Sequence, residues 1–225
     1  SDEEGKIFLA TTDAEGAVVW EQTYFDALLG LGNPTLIADE TGSGYYFGFI
    51  YRPALGENRD LRLCKVDGNG SLLWQTDFDL NTTDPNIGLV PAGNGEIMIA
   101  ASSLNDETGI DIWLSRVNGA DGSLAWSGGW PLDRFQSTQA IAATPDGQFL
   151  LIAKNTSEML VGFTSLFKID EAGSILWEKS TDYDYYDAAA TRDNAIVLAG
   201  TTQNLASGDS GDGLITKLDA EDGKE

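Results

Sequence analysis

The stretch TDYDYYD, residues 181–187, crowds three carboxylates together, Asp182, Asp184 and Asp187, and SGDSGDG adds Asp209 and Asp212. Oxygen donors this close together on a loop suit Ca²⁺, a hard cation that collects carboxylate and carbonyl ligands. Neither stretch completes an EF-hand or a glycine-rich nonapeptide. Two such carboxylates facing one cleft would instead suit glycoside hydrolysis, one as acid and the other as base or nucleophile. Aromatic residues accompany the acids: Tyr24 and Phe25, Phe78, Trp130 and Phe135, then Tyr183 and Tyr185. Rings beside carboxylates suit sugars or peptide cations, by stacking on one side and hydrogen bonding on the other. The same rings would equally serve as plugs at the ends of packed sheets.

Other chemistries are excluded. The chain has no histidine, which removes Ser-His and Cys-His catalysis, His-containing zinc sites and imidazole acid–base chemistry. Its one cysteine, Cys64, sits in an apolar run and reads as a buried, inert thiol. Against 13 Lys and Arg stand 36 Asp and Glu, a net charge of −23. That charge repels phosphate backbones, so nucleic acid and anionic lipid are not expected partners. It fits cationic partners, Ca²⁺ or a high-salt environment, or acts only to keep the surface soluble. No run of 18 apolar residues is present, so no membrane-spanning helix is expected. No cleavable signal peptide is visible, as in a mature or trimmed chain. With 42% apolar residues among 225, the chain can fill the core of one domain or one repeat array.

The elements that must position these residues repeat. TTDAEGAVVW (11–20) recurs as KVDGNGSLLW (65–74), RVNGADGSLAW (116–126), KIDEAGSILW (168–177) and the shortened KLDAEDGKE (217–225). Trp20, Trp74, Trp126 and Trp177 are 54, 52 and 51 residues apart. Each period reads as four strands, a to d, as in NIGLV, EIMIAAS, DIWLSRV and SLAWS. The b strands are near-continuous apolar runs, as in strands covered on both faces. The a strands favour small residues, as crowding near an axis requires. In strand c, Leu63, Leu114, Leu166 and Ile215 share one position, and Lys65, Arg116, Lys168 and Lys217 follow two residues later on the same face. Gly and Asn in the a–b and c–d turns supply positive φ. Four-stranded antiparallel units at this period predict an all-β fold, a β-propeller of four-stranded blades of about 50 residues, about four of them in this chain. The chain divides into a single array with repeats at approximately 1–27, 28–79, 80–130, 131–180 and 181–225, the first and last incomplete.

RVNGADGSLAW resembles the tryptophan-docking motif of quinoprotein-like propellers, with Asn118, Gly122 and Trp126 at its key positions. The shorter KVDGNGSLLW and KIDEAGSILW, with DIWLSRV before such a turn, are more similar to bacterial surface propellers with a D-x-W-L-x-K-L-D-x-x-G-x-x-x-W repeat. This resemblance implies that Trp20, Trp74, Trp126 and Trp177 form a girdle, each packing against a neighbouring blade. It does not carry a quinone cofactor, because the calcium ligands and vicinal cysteines of such sites have no match here. The opening SDEEG is similar to the acidic start of surface lipoproteins of some Gram-negative bacteria, implying an extracellular or envelope location.

Strand order puts the tight a–b and c–d turns on one face and the long b–c and d–a loops on the other. The long-loop face is the expected binding face, with Tyr24, Phe78, Trp130, Tyr183 and Tyr185 as ligand-binding residues. Asp182, Asp184 and Asp187 are the candidate metal ligands, and Ca²⁺ is the only cofactor the sequence raises. The expected function is a noncatalytic surface or envelope module binding a protein or glycan. The alternative is a carbohydrate-active enzyme, lyase or hydrolase, using loop carboxylates. KIFLATTD (6–13) and GLITKLD (213–219) occupy the same repeat position, so one is redundant in a closed four-blade ring. A piece of a longer propeller is the expectation drawn from this, with self-association of two chains into a larger ring as the alternative.

Overall fold

The computed structural model describes residues 4–84, 86–105, 109–130, 136–155, 164–202 and 211–224. Seventeen strands and no helix are present among them, arranged in five separate antiparallel sheets. A two-stranded hairpin comes first, β1 (Glu4–Thr12) and β2 (Val18–Leu29). Three four-stranded sheets follow, each in sequence order. They contain β3 (Thr35–Ala38), β4 (Gly44–Tyr51), β5 (Arg59–Asp67) and β6 (Leu72–Thr82), then β7 (Ile87–Pro91), β8 (Glu96–Asn105), β9 (Gly109–Asn118) and β10 (Leu124–Trp130), then β11 (Gln136–Ala143), β12 (Phe149–Asn155), β13 (Thr164–Ile169) and β14 (Ile175–Thr181). The last sheet has three strands, β15 (Tyr183–Ala190), β16 (Ala195–Thr202) and β17 (Gly213–Asp219). Complete blades thus number three, flanked by a c–d half-blade and an a–b–c partial blade.

The c–d turns show why the repeat keeps its Asp and Gly. The Asp67 carboxylate accepts from the Asn69 and Ser71 amides at 2.8 and 2.9 Å, and Asp170 does the same for Ala172 and Ser174. Three residues past each Asp the chain must enter the left-handed region, which glycine adopts without steric strain. Gly70 and Gly173 do so with φ of 84° and 81°.

The core lies between sheets rather than inside one. Alternation along strand c sends Leu61 and Leu63 forward, against Ile87, Leu89, Ile97 and Ile99 of the next blade. It sends Cys64 and Val66 back, against Ile7 and Tyr24 of the first hairpin. The same division recurs as Ile112 and Leu114 meet Phe149 and Phe167, and as Leu166 meets Ile196 and Leu198. Each such side chain, withdrawn from water on folding, contributes about 1.5–3 kcal/mol. Burial in this layer pushes the Cys64 thiol up to about 12, in keeping with an inert cysteine.

One local expectation changes. TDYDYYD is not a loop: from Tyr183 onward it forms β15, anchored by the fully buried Tyr185 opposite Gly200. The array is open, since no hydrogen-bonded ladder joins the first hairpin to the last sheet among the described residues.

Candidate functional site

On the long-loop face, the connection after β4 and the end of β6 enclose a recess of about 420 Å³. Glu57, Asn58, Asp60, Asp79 and Asn81 line it. A register shift between Arg59 and Leu61, opposite Thr82 and Phe78, marks a bulge in β6. Asn81 sits in that bulge with φ of 50°, a conformation asparagine tolerates better than most residues. Bulges re-aim side chains, and here Asn58 Nδ2 donates to Asn81 Oδ1 at 2.7 Å across the recess. Arg59 braces the rim, with Nε donating to the Gly30 carbonyl at 2.9 Å and Nη1 to the Thr83 carbonyl at 2.7 Å. Burial holds the Asp60 carboxyl above the usual range, overriding amide donation from Asn81 and Leu80, while the charges of Asp79 and Asp77 add to the rise. The recess therefore offers carboxylates and amides in one small volume, groups that recognise hydroxyls or cations.

In the same d–a connection, Asp84 is buried and accepts from Ser102 Oγ at 2.7 Å, and Ser102 Oγ accepts in turn from the Thr138 amide at 3.1 Å. Burial raises the Asp84 pKa against the pull of Ser102, the Asn86 amide and Arg59. This chain of hydrogen bonds ties the d–a connection to the next two sheets.

The residues singled out from the sequence are distributed as follows. Tyr24 is buried and its hydroxyl donates to the Gly70 carbonyl. Phe78 is buried against Trp113, ring centroids 5.4 Å apart. Trp130 is half-buried against Phe167 at 5.5 Å, with Nε1 donating to the Gly173 carbonyl at 3.2 Å. Tyr185 is buried and donates to Thr216 Oγ1 at 2.8 Å. These four rings are held by packing between sheets, while Tyr183 is 38% exposed and Tyr186, which the sequence reading did not single out, is 49% exposed. Asp182 and Asp187 are exposed, whereas Asp184 is buried, paired with Lys154 at 2.7 Å and accepting from the Tyr186 hydroxyl at 3.1 Å. Asp212 is exposed; Asp209 and Phe135 lie outside the described residues. Among the described residues no three acidic, Cys or His side chains converge as a metal site would require. Sequence reasoning missed the recess residues, though they fall in the long loops YRPALGENRD and TDFDLNTTDPN; the available signal was their clustered Asn and Asp at the bulge.

The opposite face carries the joints between blades. Each tryptophan stands over the left-handed glycine of the following c–d turn, Trp20 over Gly70, Trp74 over Gly122, Trp126 over Gly173 and Trp177 over Gly223. A Cβ on those glycines would come within 2.7–3.1 Å of the indole. The carbonyl just after each turn's Asp or Asn receives a donor from the preceding blade. Trp20 Nε1 reaches Gly68 O at 2.9 Å, Lys65 Nζ reaches Gly119 O at 3.0 Å, Arg116 reaches Glu171 O at 3.2 Å, and Lys168 donates to Ala220 O. Within its own blade the same cation pairs with an a–b turn carboxylate: Lys65 with Asp39 at 2.9 Å, Arg116 with Glu96 at 2.7 Å, Lys168 with Asp146.

No protein-family model matches the sequence, and no curated protein does. Solved structures do match in fold. The chain superposes on the Dos1 propeller with a TM-score of 0.56 at 12% identity, covering 97% of this chain and 51% of that one. For the β-propeller domain of the Trilobed protease from Pyrococcus furiosus, described as having an open velcro topology, the TM-score is 0.51 at 13% identity, over 89% and 57% of the two chains. For the NanB sialidase of Streptococcus pneumoniae it is 0.56 at 15% identity, over 90% and 33%. The fold is a β-propeller. This propeller chain spans a third to somewhat over half the length of those three structures, and at such identities the likeness concerns the fold alone.

Proposed function

We propose that this propeller is a noncatalytic binding or scaffold module that takes a glycan or protein ligand on its long-loop face. The observation carrying the reading is the acidic, amide-lined recess at Asn58, Asp60, Asp79 and Asn81. Its groups are placed by a bulge and an arginine brace on a rigid sheet, the arrangement in which loops on a scaffold bind ligands. A polyhydroxylated sugar or a Lys- or Arg-bearing peptide fits it best, since the net charge of −23 repels anions. Placement at the cell envelope belongs to the same proposal and rests on the acidic start and the likeness to surface propellers. Glycan and basic-peptide arrays followed by calorimetry test the reading. Asp79→Asn and Asn58→Ala should weaken the ligand found by about tenfold each, the effect of losing a charged or neutral hydrogen bond. Unchanged affinity in both variants would remove the recess from the site. Titrating Ca²⁺ tests the oxygen-ligand reading of Asp182 and Asp187; binding and Tm insensitive to EDTA would dismiss calcium.

A carbohydrate-active enzyme is the second reading, favoured by one observation: the raised carboxyl of Asp60 lies beside Asp79 in the recess. Two carboxyls sharing one small cleft are the pairing glycoside hydrolysis uses. Turnover of an array-positive glycan, abolished in Asp60→Asn, would replace the binding reading with this one. Binding without turnover would end it.

A further inference from the structure

We propose that the outer rim of the array, at the start of β6, β10 and β14, is a docking surface for an extended, basic segment of a partner protein. These are the fourth strands of the three complete blades. Each is the end strand of its sheet, with one edge that joins no ladder among the described residues. In each, a bulge falls just before the tryptophan of the joint. Val66 pairs with Leu72 and Lys65 with Trp74, so Leu73 is an extra residue. Ala125 and Leu176 are the extra residues at the same step of β10 and β14. In a regular strand one of two neighbours turns inward, but a bulge re-aims side chains, and here both neighbours face water. Leu72, Leu73, Leu124, Ile175 and Leu176 are each 41–54% exposed. Val18 and Val19 repeat the arrangement in β2. Every other exposed residue of β6 and β14 is polar. The aliphatic pair is thus a feature of the repeat, carried by complete blades.

Backbone, side chains and charge each narrow the partner. Beyond each bulge the strand runs in unbroken register, over Trp74–Phe78, Trp126–Trp130 and Trp177–Thr181. Its open edge can therefore receive another extended strand through main-chain hydrogen bonds. Paired aliphatics, repeated from blade to blade on an otherwise polar strand, are the pattern of a contact surface, unlike apolar residues scattered singly. Charge sets the sign. Residues 13–23, 67–79, 118–128 and 170–180, which span the four turns and their pairs, hold ten acids and one cation, Lys179. That cation already donates to the Gly223 carbonyl at 3.1 Å. Glu15 and Glu21 flank Val18–Val19, and Glu171 and Glu178 flank Ile175–Leu176, all four exposed. A segment that alternates aliphatic side chains with Lys or Arg meets every one of these demands. The same acids repel a second copy of this chain and any anionic surface. The rim is also distinct from the recess, since Asn81 lies eight residues further along β6 than Leu73, about 25 Å at the rise of a strand. Repetition lets one long partner engage several pairs, so that contacts weak singly add up.

Fluorescence anisotropy of labelled decapeptides with the full 225-residue chain, at about 0.1 M NaCl, tests this. The probe alternates Lys and Val; its controls alternate Lys with Ser and Glu with Val. The Lys/Val peptide should bind saturably, and both controls at least about tenfold more weakly. Leu73→Thr combined with Leu176→Thr should weaken the Lys/Val peptide about tenfold or more, as the loss of two aliphatic contacts does. Threonine keeps strand propensity, so circular dichroism should be unchanged and Tm should move by no more than about 4 °C. Absence of saturable Lys/Val binding overturns the proposal, as does equal binding of the Lys/Ser peptide. Binding that survives the double variant also overturns it, by moving the cation to the recess. A Tm loss of about 10 °C or more has the same force, because the pairs would then belong to the packing of the tryptophans. Wild-type protein that pellets with phosphatidylcholine vesicles, when the double variant does not, would give the rim to lipid instead.

Discussion

At the scale of single residues, the cation of each joint stands at the meeting of three demands. Lys65 is buried with Asp39, donates to the Tyr46 hydroxyl at 2.9 Å and reaches across to the Gly119 carbonyl. Burial works to raise the Asp39 carboxyl, but the Ser43 hydroxyl, the Thr41 amide and Lys65 together outweigh it and hold it well below the usual range. A carboxyl depressed on folding contributes stability that is complete above its unfolded pKa, about 4, and is lost as pH falls through the folded value. Asp84 has the opposite sign. Its raised carboxyl contributes fully only below that unfolded value and loses the contribution as pH rises through the folded one. Two predictions follow from the contrast. Asp39→Asn leaves Lys65 buried without its counter-charge and should destabilise the protein by about 3 kcal/mol at pH 7 in denaturant titration, with the difference from wild type shrinking below pH 4. Asp84→Asn removes the buried charge and keeps one acceptor oxygen for the Asn86 amide, with its NH2 donating to Ser102 Oγ instead of accepting from it, and should raise Tm at pH 7 while leaving it unchanged near pH 4.

Elements pose a different question, since every c–d turn has the same left-handed glycine but not the same neighbour. Gly16→Ala meets only the backbone cost of a left-handed alanine, about 1–2 kcal/mol. Gly122→Ala adds a Cβ 2.6 Å from Thr76 Oγ1 and 2.7 Å from the Trp74 ring. It should cost at least about 2 kcal/mol more than Gly16→Ala in urea unfolding, by overpacking; equal losses would mean that the indole yields freely. This spacing of Asp, Gly and Trp is what made the blades legible from the sequence. A strand, a tight turn and an anchor are local and leave a period. The strand-c alternation was legible for the same reason, down to the cation two residues past the leucine. The recess was not, because it depends on where a bulge in β6 aims Asp79 and Asn81, and no periodicity reports a bulge. TDYDYYD misled in the other direction. Its composition reads as a polar loop, yet Tyr185 finds a place between sheets and draws Asp184 inward with it, where Lys154 supplies the countercharge.

For the whole molecule, charge and topology act together. With −23 spread over the array and only 13 cations, several of them committed at joints, the folded chain repels itself. Its Tm should therefore rise between 10 mM and about 0.5 M NaCl as the Debye length shrinks; a flat or falling Tm would mean that the joint ion pairs dominate the salt response.

The joints also make the molecule a one-dimensional chain of neighbours. Each inner sheet leans on the one before and the one after, and among the described residues no ladder binds the first to the last. Cohesion of this kind is additive along a line, as in repeat arrays. Opening then starts at the ends, where a sheet has one supporting neighbour, and travels inward. Amide hydrogens record that order directly: those of β8 and β9 in the central sheet exchange last, and those of β1 and β17 exchange first.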